Sequence, residues 1–385
     1  MLSFPVFANV QQRSPFLVSV ALALASLPAL ELQTALAQTS AGTPTSTATS
    51  KQSTDKPNMS PAEPQESTLA EARSFLQQGK LNDADRAVRQ YLAKHPDSAE
   101  AHFLLGHILF REIQAEARLE RLPEPQDPRP TGDVKAAQVD SSSGVKVREE
   151  QAKASLAEFT AGAKYQDPTA ADLKVVAFDY VLLGDYVDAD KWLTRMLTWT
   201  PNDSDGWYHL GRTKYSENRF TEAVTAFEEC LKLDPKNVKA EDNVGLTLAG
   251  LGRYDEAAAK YQQAIAWEAD APNKDPGPYV DWGSLLLDSN QPESALPLFL
   301  QAVKIAPRKS KPHELLGKAY SQLGELANAQ EHLEIAVSLS PQSAPLHFML
   351  GQVYRKRGLI DKAKSELEIC AALNATHSTS HTTGP

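Results

Sequence analysis

The chain has 385 residues, 42% of them hydrophobic and 23% charged, with a formal net charge of −10. That length suits one long repeat array or two to three ordinary domains, and the apolar content is enough for a packed core. The acidic balance argues against nucleic acid as the main partner, because neutralising phosphates needs a basic face.

The first 37 residues read as a targeting segment rather than as part of the fold. One basic side chain, Arg13, precedes the apolar run PFLVSVALALASLPAL over 15–30, and Ala35, Leu36 and Ala37 then give a small-x-small cleavage site before Gln38. This pattern predicts a signal peptide over 1–37 and an exported protein, periplasmic or secreted from a bacterium; the alternative is an uncleaved anchor. Ser26 and Pro28 break a run already too short for a comfortable span, so no membrane span is expected after cleavage. Residues 38–66 are rich in Ser, Thr, Pro, Ala and Gln and lack aromatics. Such a stretch cannot bury enough surface to offset its ordering entropy, and a disordered linker is expected.

From 67 to 375 the sequence repeats. Residues 204–237 show the unit most clearly: Trp207, Leu210 and Gly211, then Ala223, Phe227 and Cys230, then Pro235. These fall where two short antiparallel helices would pack. Gly211 is expected to let the two helices touch backbone to backbone, Ala223 to receive the neighbouring helix, and Phe227 to fill the wedge between units. Pro235 stops the second helix. The unit resembles the tetratricopeptide repeat, whose signature is Trp-x2-Leu-Gly-x2-Tyr, then Ala-x3-Phe, then Pro in 34 residues. Lys214 departs from it, with Tyr215 one residue late.

Laid along the chain, the template gives eight units. The first, 65–98, has Ala72, Gly79, Ala84, Tyr91 and Pro96. The second opens with His102, Leu105 and Gly106, is interrupted, and resumes with Phe159 and Pro168. Units follow from Ala170, Ser204, Val238, Pro276, Ser310 and Ala344, with 272–275 as four extra residues. The second-helix alanine recurs in phase at Ala189, Ala223, Ala257, Ala295, Ala329 and Ala363. The resemblance implies an all-α, right-handed solenoid of about eight helical hairpins, each stabilising the next. A polar tail, 376–385, is expected to be disordered.

An insertion over 113–149 splits the second unit. Its first helix is expected to continue through ILFREIQAEARLERL before a run of prolines, and helix is expected again from about Lys146, giving an elongated hairpin with a disordered tip over 122–144. This is either a protruding arm for a partner or a tolerated surface insertion.

No catalytic constellation, cofactor loop or metal motif stands out. His313-Glu314 opens like a zinc-protease motif, but Gly317 stands where the second His belongs. His102, His313 and His347 share the repeat position of Trp207 and Tyr279, which predicts packing rather than metal ligation. Cys230 and Cys370 lie four repeats apart, too far for a disulfide in a rigid array.

At 100° per residue, repeat positions 2, 5, 9 and 12 share one face of each first helix. By resemblance to the family, that face lines a peptide-binding groove. It carries Phe103, His107, Phe110, Lys174, Phe178, Val181, Tyr208, Arg212 and Tyr215, and further on Asp242, Leu246, Lys311, Glu314, Lys318, Phe348 and Arg355. Phe178 follows Lys174 where the family's carboxylate clamp needs Asn, so that clamp is not expected. The reading is a non-enzymatic scaffold of the cell envelope that binds a protein or peptide, with an acidic-aromatic segment as its expected ligand. The alternatives are an accessory subunit that positions a catalytic or assembly partner, and a cryptic hydrolase in the irregular region.

Overall fold

The computed structural model describes residues 68–119, 141–269, 271 and 274–379. The expected signal peptide and linker over 1–66 lie outside these residues. Among the described residues the chain is helical throughout, with no strand. It divides into two compact units, Met1–Pro201 and Asn202–Pro385.

The first unit holds three hairpins: α1 (Leu69–Gln77) with α2 (Leu81–Leu92), α3 (Ala99–Leu119) with α4 (Ser141–Gly162), and α5 (Ala170–Leu182) with α6 (Tyr186–Trp199). The second holds five. These are α7 (Ser204–Ser216) with α8 (Phe220–Leu233), α9 (Val238–Gly250) with α10 (Tyr254–Glu268), α11 (Gly277–Asp288) with α12 (Pro292–Ile305), α13 (Ser310–Leu323) with α14 (Leu326–Leu339), and α15 (Ala344–Lys356) with α16 (Ile360–Thr379). This is an all-α helical repeat solenoid.

Local chemistry starts and stops each helix. Thr68 and Thr169 build capping boxes with Glu71 and Asp172, and the side chains of Asp203 and Asn237 accept from the backbones of Gly206 and Ala240. In the seven hairpins whose connecting turn is described, a left-handed residue stands at repeat position 15. Glycine supplies it at Gly79, Gly184, Gly252, Gly324 and Gly358; Asn218 and Asn290 supply it in the remaining two regular units, at φ 60° and 58°. Asparagine is the side chain that best tolerates this region.

The core is a ladder of helix-to-helix contacts centred on glycine. A Cβ on Gly211 would lie 2.6 Å from the Phe227 ring, and on Gly283 2.5 Å from Phe299. Gly245 faces Tyr261 and Gly317 faces Leu333 in the same way. The glycine therefore makes room for a large side chain of its own hairpin, instead of bringing two backbones together as expected. Phe227 accordingly lies over Gly211 and has no exposed surface. The alanine one turn earlier on the second helix is fully buried at Ala189, Ala223, Ala257, Ala295 and Ala329.

The interrupted unit keeps this contact. Phe159 of α4 sits over Gly106 of α3, 2.7 Å from where a Cβ would stand. Ser155 takes the alanine place, and its hydroxyl donates to the Gly106 carbonyl at 3.2 Å. The two helices are 21 and 22 residues long, against 13 and 14 in α7 and α8. The elongated hairpin is present, but α4 begins at Ser141, so 141–144 belong to helix and not to the tip; the remainder of the expected tip lies outside the described residues from 120 to 140. At the other end α16 runs to Thr379, beyond the expected stop at Ala375, where the family's terminal proline is missing.

Asp179 of α5 is fully buried, and neither carboxylate oxygen has a hydrogen-bond partner of good geometry. Burial pushes its carboxyl well above the usual range, only partly offset by the nearby Ser155 hydroxyl.

Two predictions follow from the packing. Gly211→Ala forces its methyl into the Phe227 ring and should cost about 1–3 kcal/mol in urea unfolding. Burial favours the protonated form of Asp179 in the native chain, whereas the unfolded chain loses that proton near the ordinary value of about 4. Stability should thus fall as pH rises above about 4. Asp179→Asn should reduce the slope and stabilise the chain by about 1–3 kcal/mol at pH 8. Unchanged melts at pH 4 and pH 8 would contradict it.

Candidate functional site

The face expected to line a groove splits into buried and open parts. In the first unit Phe103 is buried, with its ring against Gly162 and 6.1 Å from Phe159. Phe110 and Phe178 are also buried and stack on each other across α3 and α5 at 5.9 Å. His107 Nε2 lies 2.7 Å from the Asp172 carboxylate, tying α3 to the start of α5. Lys174 and Val181 are half-buried. In the second unit Tyr208 and Arg212 are buried, the guanidinium 5.9 Å from the Tyr208 ring. Tyr215 is half-buried against Phe220, and Leu246 is half-buried.

Phe103, Phe110, Phe178 and Tyr208 are thus core residues and not open anchors, which corrects the sequence reading. The reason lies in the array. Large side chains at these positions fill the space between a first helix and its neighbours.

Phe348 escapes this. It stands at the same repeat position as Phe103 and Tyr208 but on α15, the last first-helix among the described residues, and it is 49% exposed. Arg355 follows two turns later on the same face, exposed, its guanidinium donating to Gln352. Lys311 and Lys318, on α13, are engaged within the chain: their ammonium groups lie 2.8 Å from Glu314 and 3.1 Å from Asp288.

A carboxylate group missed by the sequence reading lies at the other end of the second unit. Asp242 of α9 and Asp281 of α11 face one another, and burial with mutual repulsion raises Asp242 well above the usual range. Burial pushes Asp281 up to about 6. Asp275, contributed by the four-residue insertion, accepts from the Gly277 backbone at 2.9 Å. A Cβ on Gly277 would stand 3.3 Å from both the Asp242 Oδ2 and Asp275 Oδ1 atoms. Glu268 accepts from the Asp275 backbone behind them. Asp242 was on the expected groove face; Asp281 sits at repeat position 6, off the face counted, and Asp275 has no counterpart in a regular repeat.

The histidines at repeat position 4 are hydrogen-bonded brackets. His102 Nε2 meets the Pro96 carbonyl at 3.0 Å and its Nδ1 meets Glu158 at 2.7 Å. His347 repeats this with Pro341 at 2.8 Å and Glu366 at 2.6 Å. His313 reaches the Pro307 carbonyl at 3.2 Å, but its Nδ1 faces His332 Nδ1 at 3.2 Å, with Tyr320 stacked on His332. Each ring pins the end of one hairpin to both helices of the next. A histidine at position 4 with a carboxylate at position 23 was a signal present in the sequence. Cys230 is buried and Cys370 half-buried, both free; burial pushes the Cys230 thiol up to about 12, leaving it unreactive.

Stacked helical hairpins with a repeated glycine–ring contact and a variable face of first helices define a repeat scaffold. The family model described as tetratricopeptide repeat matches residues 69–120, 208–275 and 314–372. A tetratricopeptide repeat protein from Parabacteroides merdae has the same fold at 16% identity, with a TM-score of 0.54 over 74% of this chain and 96% of that one. Among curated relatives, a DnaJ homolog subfamily C member 7 homolog of Schizosaccharomyces pombe is 26% identical over 170 residues, 41% of this chain and 36% of the relative. A peroxisomal targeting signal receptor of Kluyveromyces lactis is 35% identical over 66 residues, 17% of this chain and 12% of the receptor. The chain thus spans about a third of the first relative's length and about an eighth of the second's. It is a tetratricopeptide repeat protein, and such arrays are protein-interaction scaffolds, typically without catalysis. Among the described residues no helix is long and apolar enough to cross a membrane.

The His313–His332 pair yields a pH test. Burial and then the charge of His313 lower the proton affinity of His332. At position 332 the unfolded chain binds a proton near the ordinary value of about 6.5 that native His332 resists, so stability should drop as pH falls below about 6.5. His332→Glu restores the bracket seen at His102 and His347. It should raise stability at pH 5.5 by about 1–3 kcal/mol, with a smaller gain at pH 8, measured as urea midpoints. Equal effects at both values would refute the assignment.

Proposed function

We propose that this chain is a non-enzymatic scaffold of the cell envelope that binds a protein or peptide along its first-helix face, with the Phe348–Arg355 ridge as the main contact. The observation that carries the reading is Phe348, a large apolar side chain 49% exposed at a repeat position where the aromatics Phe103 and Tyr208 are buried. An aromatic next to an exposed arginine is the composition of a binding hot spot. Arg355, with Lys356 beside it at the end of α15, gives a local positive potential on an acidic chain, which favours a carboxylate-bearing segment. The short similarity to a protein named as a targeting signal receptor is in keeping with peptide recognition. The envelope location rests on the apolar run over 15–30 and the Ala35–Ala37 site, and the partner is a protein or peptide, not nucleic acid.

The mature chain should be recovered from an envelope extract with its N-terminus at or near Gln38, and used there as bait. With the captured partner, Phe348→Ala should weaken binding about tenfold or more, through faster dissociation. Arg355→Glu should slow association, most strongly at low salt. If neither variant changes the kinetics while deletion of 120–140 abolishes binding, the contact is the inserted arm and the ridge assignment fails.

A further inference from the structure

The open face of α6, in the first unit, departs from the pattern of the other second helices. Val187, Lys191, Arg195 and Trp199 follow one another about one turn apart and so form a row along the helix. All four are exposed, Val187 to 70% and Trp199 to 48%. In the 34-residue register Lys191 and Arg195 stand at repeat positions 22 and 26. The five second helices of the second unit carry no lysine or arginine at either position, and two carry glutamate there, Glu229 and Glu331.

Indole rings hold these cations. The Arg195 guanidinium lies 5.4 Å from the Trp199 ring centre and 5.9 Å from that of Trp192. The Lys191 ammonium lies 5.1 Å from Trp192, with the Asp188 carboxylate 3.8 Å away. Arg195 differs from Lys191 here: among the described residues its guanidinium makes no ion pair or hydrogen bond. Stacking engages the faces of a guanidinium and leaves its N–H edge to take an acceptor. Two rings on one side chain also restrict it before a ligand arrives, which lowers the ordering cost of recognition.

We propose that this row on α6 is a second interaction surface, separate from the Phe348–Arg355 ridge and independent of it, and that it takes an acidic peptide segment. The Arg195 N–H edge donates to an aspartate or glutamate carboxylate of that segment, and apolar residues beside the acid lie on Trp199 and Val187. The order along the helix selects this ligand: apolar groups stand about 18 Å apart at the two ends, with the cations between them. An anionic bilayer fits less well. The chain carries a net charge of −10, so a broad anionic plane repels it, whereas a single peptide carboxylate responds to charges within about 10 Å.

The test uses the full chain with fluorinated tryptophan, read by fluorine NMR. The probes are the acetylated, amidated peptide Leu-Glu-Leu-Glu-Leu, its glutamine counterpart, and vesicles of phosphatidylglycerol. The glutamate peptide should shift the Trp192 and Trp199 signals and leave those of Trp207, Trp267 and Trp282 in place; the glutamine peptide should shift none. Arg195→Gln should weaken binding about tenfold. Trp199→Leu places there the residue that Leu233, Leu339 and Leu373 supply at the same repeat position, and should weaken binding several-fold, with thermal melts confirming that both variants fold. Phe348→Ala and Arg355→Glu should leave the response intact, which separates this surface from the ridge on α15. No shift up to about 5 mM glutamate peptide, equal shifts with both peptides, full binding by Arg195→Gln, or a response to the vesicles alone would overturn the proposal.

Discussion

The contact between a glycine on one helix and a large ring or leucine on the next sets the geometry of six of the eight hairpins. Six such pairs recur, from Gly106 with Phe159 to Gly351 with Leu367. A side chain as small as a methyl group at the glycine would stand within 3.0 Å of its partner, so the spacing of the two helices is fixed by that ring. Close packing transmits this spacing to the alanine one turn away and to the next hairpin. The interrupted unit shows how strict the constraint is. A long excursion separates Gly106 from Phe159, yet the two meet as Gly211 and Phe227 do. What lies beyond the contact is free to lengthen, and only the pair itself must be kept.

Much of this was legible because the contact is local and periodic. Gly211, Ala223, Phe227 and Pro235 stand at fixed offsets within one hairpin, and a 34-residue period brings them round again without reference to distant residues. The left-handed turn at position 15 is also written plainly, including its two asparagine versions. The direction of the glycine contact was not. Periodicity says that a small and a large residue meet but not which partner fills the gap, and the ring takes it. The end of α16 was misjudged for a related reason: a polar composition does not stop a helix where proline and glycine are absent.

The candidate site was less legible, since a helical period assigns a face but not a neighbour. Phe103, Phe110, Phe178 and Tyr208 share a face with Phe348, and from sequence alone they are equivalent. Their burial depends on what stands beside each helix. The carboxylates were hidden for a second reason. Asp275 comes from four residues that break the period, so any reading in register with the template passes over it.

The same insertion explains why charge collects there. A regular connection would bring a proline-ended helix directly to the next hairpin, as Pro307 and Pro341 do, and a position-4 histidine would bracket the joint. Between α10 and α11 there is neither: Ala269 stands in the proline's place and Tyr279 in the histidine's. The joint is held instead by Glu268 and Asp275, through backbone N–H and carboxylate contacts, and by the Lys274 ammonium on two carbonyls. Carboxylates recruited to satisfy an irregular backbone end up next to Asp242 and Asp281, and their repulsion raises the proton affinity of both. A four-residue departure from the repeat thereby places Asp275 and Glu268 beside Asp242 and Asp281 in the second unit. In an array where six of eight hairpins share one contact, a break in the period brings in carboxylates that no regular repeat position supplies.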